Sequence, residues 1–393
     1  SALFFVFLIS YIYLLLNKYL IIFILLALLP LFLFKYLSIL TFLIPNSEII
    51  NFFVNHPIPP GLSFTTFSAI ALLISIKQRV FKNLDYKKII GYLFFFPQLI
   101  AGPIVMPNYL IPQLSSLPKI YLKNFQLGFF IFTIGIILKI LVADSISEYI
   151  DPIFKDLEKN SFKDILVSII LFSQQIFFDF NGYTLMAIGI ALSLGIKLPE
   201  NFNAPYLATS VSDFWRRWHI TLSNWIRDYI YIPLGGSKCS NIKNYTNILI
   251  AMIVSGIWHG YGIAFILWGF FHGIIIVGEK FFNINLDYKI LKIFLTYLTV
   301  TILWSFFRIN SIDDWLIIIN KFNFIEFLSI KVFFIFFLTF ILNFLQKFLT
   351  IKSLEIIYKK LNSTITVNVS ILIVLFCIIL SSGSSQKFIY FNF

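Results

Sequence analysis

The stretch NYTNILIAMIVSGIWHGYGIAFILWGFFHGIIIVG, residues 244–278, runs 35 residues without a Lys, Arg, Asp or Glu. A straight helix of that length would measure about 52 Å, against a hydrocarbon core of about 30 Å. The stretch therefore has to bend or break inside a membrane. The break is expected at Ser255-Gly256-Ile257-Trp258-His259-Gly260-Tyr261-Gly262, where three glycines surround a histidine.

The rest of the chain agrees with a membrane setting. Residues 1–17, 19–34, 49–76, 89–118 and 361–386 are also free of charged side chains. Of the 393 residues, 59% are hydrophobic and 12% charged, and the mean hydropathy is +0.90. Soluble domains carry about 25% charged residues, so half the usual polar surface is missing and lipid has to take its place. The fold class expected is all-α: a polytopic integral membrane protein of roughly ten to twelve helices, some short or broken. Loops are too short for a separate catalytic domain, so residues 1–393 read as one membrane-embedded domain. The run 1–17 has neither a charged leader nor a small-residue cleavage site and reads as the first span rather than a signal peptide. The net charge of +12 has no long basic face to serve nucleic acid; it fits Lys and Arg in cytoplasmic loops and against the headgroups of membrane lipid. Cys239 and Cys377 lie far apart and give no metal-ligand spacing, so no metal is expected.

Two further regions break the apolar pattern. Residues 89–118 carry Pro97, Pro103, Pro107, Pro112 and Pro118, which a continuous helix cannot accommodate. Irregular backbone at membrane depth needs protein or a water-filled cavity around it, so FFPQLIAGPIVMP predicts a re-entrant, cavity-lining segment with Gln98 as its polar group. Residues 197–243 are the most polar stretch, with Arg216, Arg217 and Arg227 beside Trp215, Trp218 and Trp225. Ser210 and Asp213 have capping-box spacing. Beyond them Trp215, Trp218, Leu222, Trp225 and Tyr229 recur every three or four residues, predicting an amphipathic helix at or dipping into the interface, ended by Pro233 and Gly235-Gly236.

Ionisable groups inside a bilayer are costly and tend to be functional. Of the four histidines, His259 sits in the broken run and His219 on the amphipathic segment; both are candidates for acid–base chemistry. His272 reads as a packing residue and His56 as a loop residue. Asp179, in QQIFFDFNGYT, is expected either to pair with a basic group or to orient a histidine. There is no nucleophile elbow, metalloprotease, P-loop or dinucleotide-binding signature. A transporter would call for repeated halves and intramembrane acid–base relays. No internal repeat is present, and Asp179 is the sole candidate relay acid in the sequence.

FFPQLIAGPI (95–104), FFDFNGYTLMAIGIALSLGIKLPENFNAPY (177–206), SVSDFWRRWHITLSNWIRDYIYIPLGGS (210–237) and SGIWHGYGIAFILWGFFHG (255–273) resemble, in order, signature blocks of the membrane-bound O-acyltransferase (MBOAT) family. They are most similar to its bacterial branch that acylates envelope polysaccharides: alginate, peptidoglycan and teichoic acid. The resemblance covers about residues 58–310 plus the C-terminal aromatic tail 386–393, departing from the branch at Thr65 and Leu185. It implies a ring of membrane helices with re-entrant segments around a central tunnel, placed in a bacterial inner membrane. Through that tunnel a cytosolic thioester, acetyl-CoA or an acyl carrier, meets an acceptor from the far side.

The resemblance further implies His259 and His219 as the catalytic pair, with His259 as general base and His219 orienting the acceptor or donating to the oxyanion. Arg216, Arg217, Trp218 and Arg227 are expected at the donor, and Gln98, Asp179, Ser255 and Trp258 along the tunnel. No bound cofactor is implied. In SSQKFIYFNF, at the C-terminus, Tyr390 is expected as an acyl relay. The acceptor favoured is cell-wall peptidoglycan, with an extracytoplasmic SGNH-type partner completing the transfer.

Overall fold

The computed structural model describes residues 2–37, 48–99, 102–116, 119–260, 262–282, 287–309 and 311–381. Every regular element among them is a helix. Six are long and apolar enough to cross a bilayer: Leu122–Lys155, Phe162–Ser193, Ile263–Phe282, Lys289–Arg308, Phe324–Leu349 and Ser363–Ser381. Three shorter apolar helices, Ala2–Leu16, Leu20–Lys35 and Leu62–Lys77, accompany them. The proline-rich run is broken as expected, into Tyr86–Leu93, Phe96–Leu99 and Pro107–Ser115. Pro107 stands in the first turn of its helix, where a missing N–H breaks no intrahelical bond.

The chain packs as two compact units, Ser1–Phe132 with Met186–Pro199, and Thr133–Leu185 with Glu200–Phe393. In the first, the three shorter apolar helices pack on one another. Most of Leu62–Lys77 is buried, Thr65, Thr66 and Ser68 included; small side chains let helix backbones approach closely in lipid.

The second unit holds the 244–278 stretch, and here the structure sharpens the sequence reading. The stretch does not bend as one span but reverses, helix Asn241–His259 running up and Ile263–Phe282 running back. A Cβ on Gly256 would strike the Phe265 carbonyl, and one on Gly269 the Met252 carbonyl. Position numbers that rise on one helix as they fall on the other mark an antiparallel hairpin. The glycines are thus chiefly a contact surface, and the turn they permit leaves His259 at the end of its helix, capped by extended Gly260.

The two ends of this unit differ in charge. At one end a cavity brings together Arg216, Arg227 and Lys280, and another brings together Arg217, Lys289 and Lys347. Glu200 accepts from the Ile351 N–H here at 2.8 Å. At the other end Arg308 bonds Asp151 at 2.8 Å, Lys331 bonds Asp164 at 2.9 Å, and the Lys163 N–H donates to Glu326 at 2.8 Å. The span Lys289–Arg308 carries one residue of each set at its opposite termini.

Candidate active site

His219 and His259 come from separate stretches and meet around one indole. Trp258 lies edge-on to both, its ring centroid 6.3 Å from that of His219 and 4.6 Å from that of His259. Both imidazoles are buried, at 0% and 4% exposure. Trp268 and Phe307 close in on His259 with centroids at 5.2 and 4.9 Å, and Phe180 packs edge-on to His219 at 4.7 Å.

The segment around His219 departs from the single helix expected. Ser210 caps its start, accepting from the Asp213 N–H at 2.9 Å, but the helix stops at Trp215 and a second one runs Ile220–Ile226. His219 itself stands between them with φ 42° and ψ 53°. That left-handed conformation is strained for a residue with a Cβ. Asn201 holds it: its backbone carbonyl accepts from Ile220 N–H at 2.9 Å, and its Oδ1 accepts from Thr221 N–H at 3.2 Å and Thr221 Oγ1 at 2.9 Å. A backbone N–H only donates, so the atom it meets is the carboxamide oxygen. His219 Nδ1, 3.2 Å from the same oxygen, therefore carries the proton, leaving Nε2 with its lone pair. Burial pushes this imidazole down to about 3, so it is neutral. A neutral ring in this tautomer accepts a hydrogen bond at Nε2 and cannot donate there to an oxyanion.

A cavity of about 420 Å³ approaches the pair from the basic end. Arg216, Arg227 and Lys280 line it together with apolar Ile248, Met252 and Ile276. Among its walls is Ser255, 1% exposed, whose hydroxyl has no hydrogen-bond partner among the described residues. His259 stands four positions after Ser255 on one helix, which places them on the same face one turn apart. Ile220, next to His219, is also in the wall. The cavity thus offers cations, an apolar sleeve and a buried hydroxyl just short of the two imidazoles.

Other expected residues fall elsewhere. Arg217 turns from its neighbour Arg216 into the other cavity and pairs with Asp213 at 3.0 Å. Trp218 is 1% exposed and lines neither cavity; it packs against Trp304, Phe202 and Phe214 with centroids 4.9 to 5.5 Å away. Asp179 is buried and bonds Lys139 at 2.7 Å, which also holds Asp144. The orienter of a histidine is Asn201 instead. Gln98, in the first unit, is buried and donates through Nε2 to the Tyr92 carbonyl at 2.8 Å. Tyr390 lies outside the described residues. A search for titratable groups passes over Asn201 because an amide does not ionise; only its place in PENFNAP, ahead of FWRRWH, hints at it. His272, read as a packing residue, accepts at Nδ1 from Trp215 Nε1 at 3.2 Å, and Trp215 also lines the 420 Å³ cavity.

Residues 3–312 match the membrane-bound O-acyltransferase family. The chain is 36% identical to the peptidoglycan O-acetyltransferase of Helicobacter pylori, over 65% of this chain and 55% of that protein. It is 34% identical to a probable alginate O-acetylase of Pseudomonas aeruginosa, over 68% and 53%. It is 29% identical to the teichoic acid D-alanyltransferase of Bacillus subtilis, over 59% and 64%. The chain spans about half the length of the first two of these relatives.

Proposed function

The chain belongs to the membrane-bound O-acyltransferase family, and from that premise we propose that it moves an acyl group, acetyl in the first instance, from a cytosolic thioester toward an envelope polysaccharide. The observation that carries this reading is the cavity with Arg216, Arg227 and Lys280 in its walls and Ser255 one turn from His259. Guanidinium and ammonium groups suit the phosphates of a coenzyme A or phosphopantetheine donor, and the apolar sleeve suits its arm. Ser255 Oγ–H has an acceptor to find, and an amide or thioester carbonyl of the donor supplies one.

The acceptor is oriented by a hydrogen bond that another of its donor groups makes to His219 Nε2, which leaves the proton of the attacking hydroxyl for His259. The hydroxyl oxygen attacks the thioester carbonyl carbon as His259 takes the proton; the C–S bond then breaks and the proton passes to the departing thiolate. Imidazole titrates near pH 6.5 unperturbed and suits this two-way transfer. Lys and Arg favour the cytoplasmic side of a membrane, so the basic end faces the cytosol of a bacterial inner membrane. The span Ser363–Ser381 follows a helix at that end and is long enough to cross. A tyrosine phenol is more acidic than a sugar alcohol, so its ester is an activated acyl group, and Tyr390 is the relay that takes the acyl group and hands it on to an SGNH-type partner. Peptidoglycan is the acceptor we favour, in line with the Helicobacter pylori relative.

The test is radiolabelled acetyl-CoA with the purified full chain in membrane discs. Label should be transferred or released by the native chain and not by the H259A variant at equal folded amount. A double-digit percentage of residual activity in H259A would remove His259 from the chemistry. Absence of an acyl adduct on the Tyr390 peptide in active protein, by mass spectrometry, would remove the relay.

A further inference from the structure

The second cavity, of about 500 Å³, takes no part in the proposed transfer. Arg217, Lys289 and Lys347 line it. The Arg217 guanidinium is shared with Asp213, while Lys289 and Lys347 are exposed and make no ion pair among the described residues. Two ammonium groups beside one hollow repel each other unless an anion comes between them. Ile290, Ile293 and Phe344 also line it, the Phe344 ring 5.4 Å from Lys347 Nζ, together with Thr209, Thr350 and Ser353.

Position decides what kind of anion fits. Lys289 is the first residue of one span, and Lys347 lies in the last turns of another, Phe324–Leu349. The cavity therefore sits where helices leave the hydrocarbon, at headgroup depth. A soluble phosphate would satisfy the lysines and leave Ile290, Ile293 and Phe344 facing water. A phospholipid satisfies both kinds of lining, with phosphate against the cations and chain against the apolar residues. We propose that this cavity binds the phosphate-bearing headgroup of an anionic lipid.

Such a lipid would touch the scaffold of His219. Asn203 lines the cavity with Arg217, and the Asn203 N–H donates to the Arg217 carbonyl at 2.9 Å. Two residues before Asn203 stands Asn201, which fixes the His219 ring and backbone. A headgroup bound between Arg217, Lys289 and Lys347 braces that loop from outside.

The experiment compares the full chain in discs of phosphatidylcholine alone and of phosphatidylcholine with phosphatidylglycerol. Native mass spectrometry of the released protein counts retained phosphatidylglycerol, and acetyl-CoA binding is followed separately. The native chain should retain phosphatidylglycerol, and the K289Q/K347Q double variant should retain on the order of tenfold less. The K289R/K347R variant should restore retention, since it keeps both charges. Acetyl-CoA affinity should be the same in all three. Unchanged retention in K289Q/K347Q, or no rescue by arginine, overturns the proposal. So does a loss of acetyl-CoA affinity with retention intact, which would assign the cavity to the donor's phosphates.

Discussion

The two ends of the second unit hold similar side chains in opposite circumstances. At the far end Arg308, Lys331 and Lys159 each meet a carboxylate, of Asp151, Asp164 and Asp156. At the basic end Lys280, Lys289 and Lys347 make no ion pair among the described residues and line cavities, as do Arg217 and Arg227, which also pair with Asp213 and Asp228. A cation matched by a carboxylate away from any hollow closes structure; a cation that faces a hollow is available to a ligand. Charge therefore reports function here only when read together with its partner.

Substitutions can break or sharpen that contrast. The largest effect is expected where the basic end leads: H259A should lower kcat by about 10²- to 10⁴-fold, the range of general-base catalysis. Circular dichroism should show the protein still helical. N201A comes next. It removes the acceptor that sets the His219 tautomer and leaves a strained backbone unsupported, so a loss of about ten- to a hundredfold in kcat is expected, with donor KM little changed. A weaker effect on kcat than on KM would place Asn201 on the donor side instead.

R216Q/R227Q should act the other way, raising the KM for acetyl-CoA about tenfold through lost charge-assisted bonds while kcat holds. Steady-state kinetics at two salt concentrations separates the cases, since the native KM should rise with salt and that of the variant less so. S255A should raise the same KM only a few-fold, as one neutral hydrogen bond does. At the opposite end D151N should leave kinetics untouched. Asp151 is partly exposed, so losing its bond to Arg308 costs about 1 kcal/mol or less, visible as a small drop in Tm. A donor KM that responded to D151N would erase the distinction between the ends.

Much of this was legible in the sequence because lipid leaves few ways to hide a charge. Charge-free runs marked Ile263–Phe282, Ser363–Ser381 and the three shorter apolar helices but not the four spans that carry charges, among them Phe162–Ser193 with Asp179. Prolines marked the broken 89–118 stretch, and glycines marked the break at His259. The hairpin was not legible. A bend and a full reversal look alike until Gly256 is seen against Phe265 and Gly269 against Met252. The helix drawn through Trp215, Trp218 and Trp225 fails for a related reason. Periodicity continues across His219, but one residue at φ 42° redirects the chain, and Trp218 goes into the aromatic core.

The candidate site was legible in its ionisable members and not in its neutral one. His259 and His219 stood out as imidazoles in apolar sequence, while Ser255 came only with the family resemblance. Asn201 acts only through the direction of its carbonyl, which no composition reveals. Arg216 and Arg217 are adjacent in sequence, yet the turn after Trp215 sends them to different cavities. Reading them as a pair was natural and incomplete.

The central claim is that the cavity lined by Arg216, Arg227 and Lys280 delivers a thioester to the imidazoles around Trp258. Its most direct test is the experimental structure of the full chain with a non-hydrolysable acetyl-CoA thioether. The account predicts phosphate density against those three cations and the thioether sulfur beyond Ser255, facing His259. Ligand density confined to the Arg217 cavity, or a sulfur pointing away from both histidines, would contradict it.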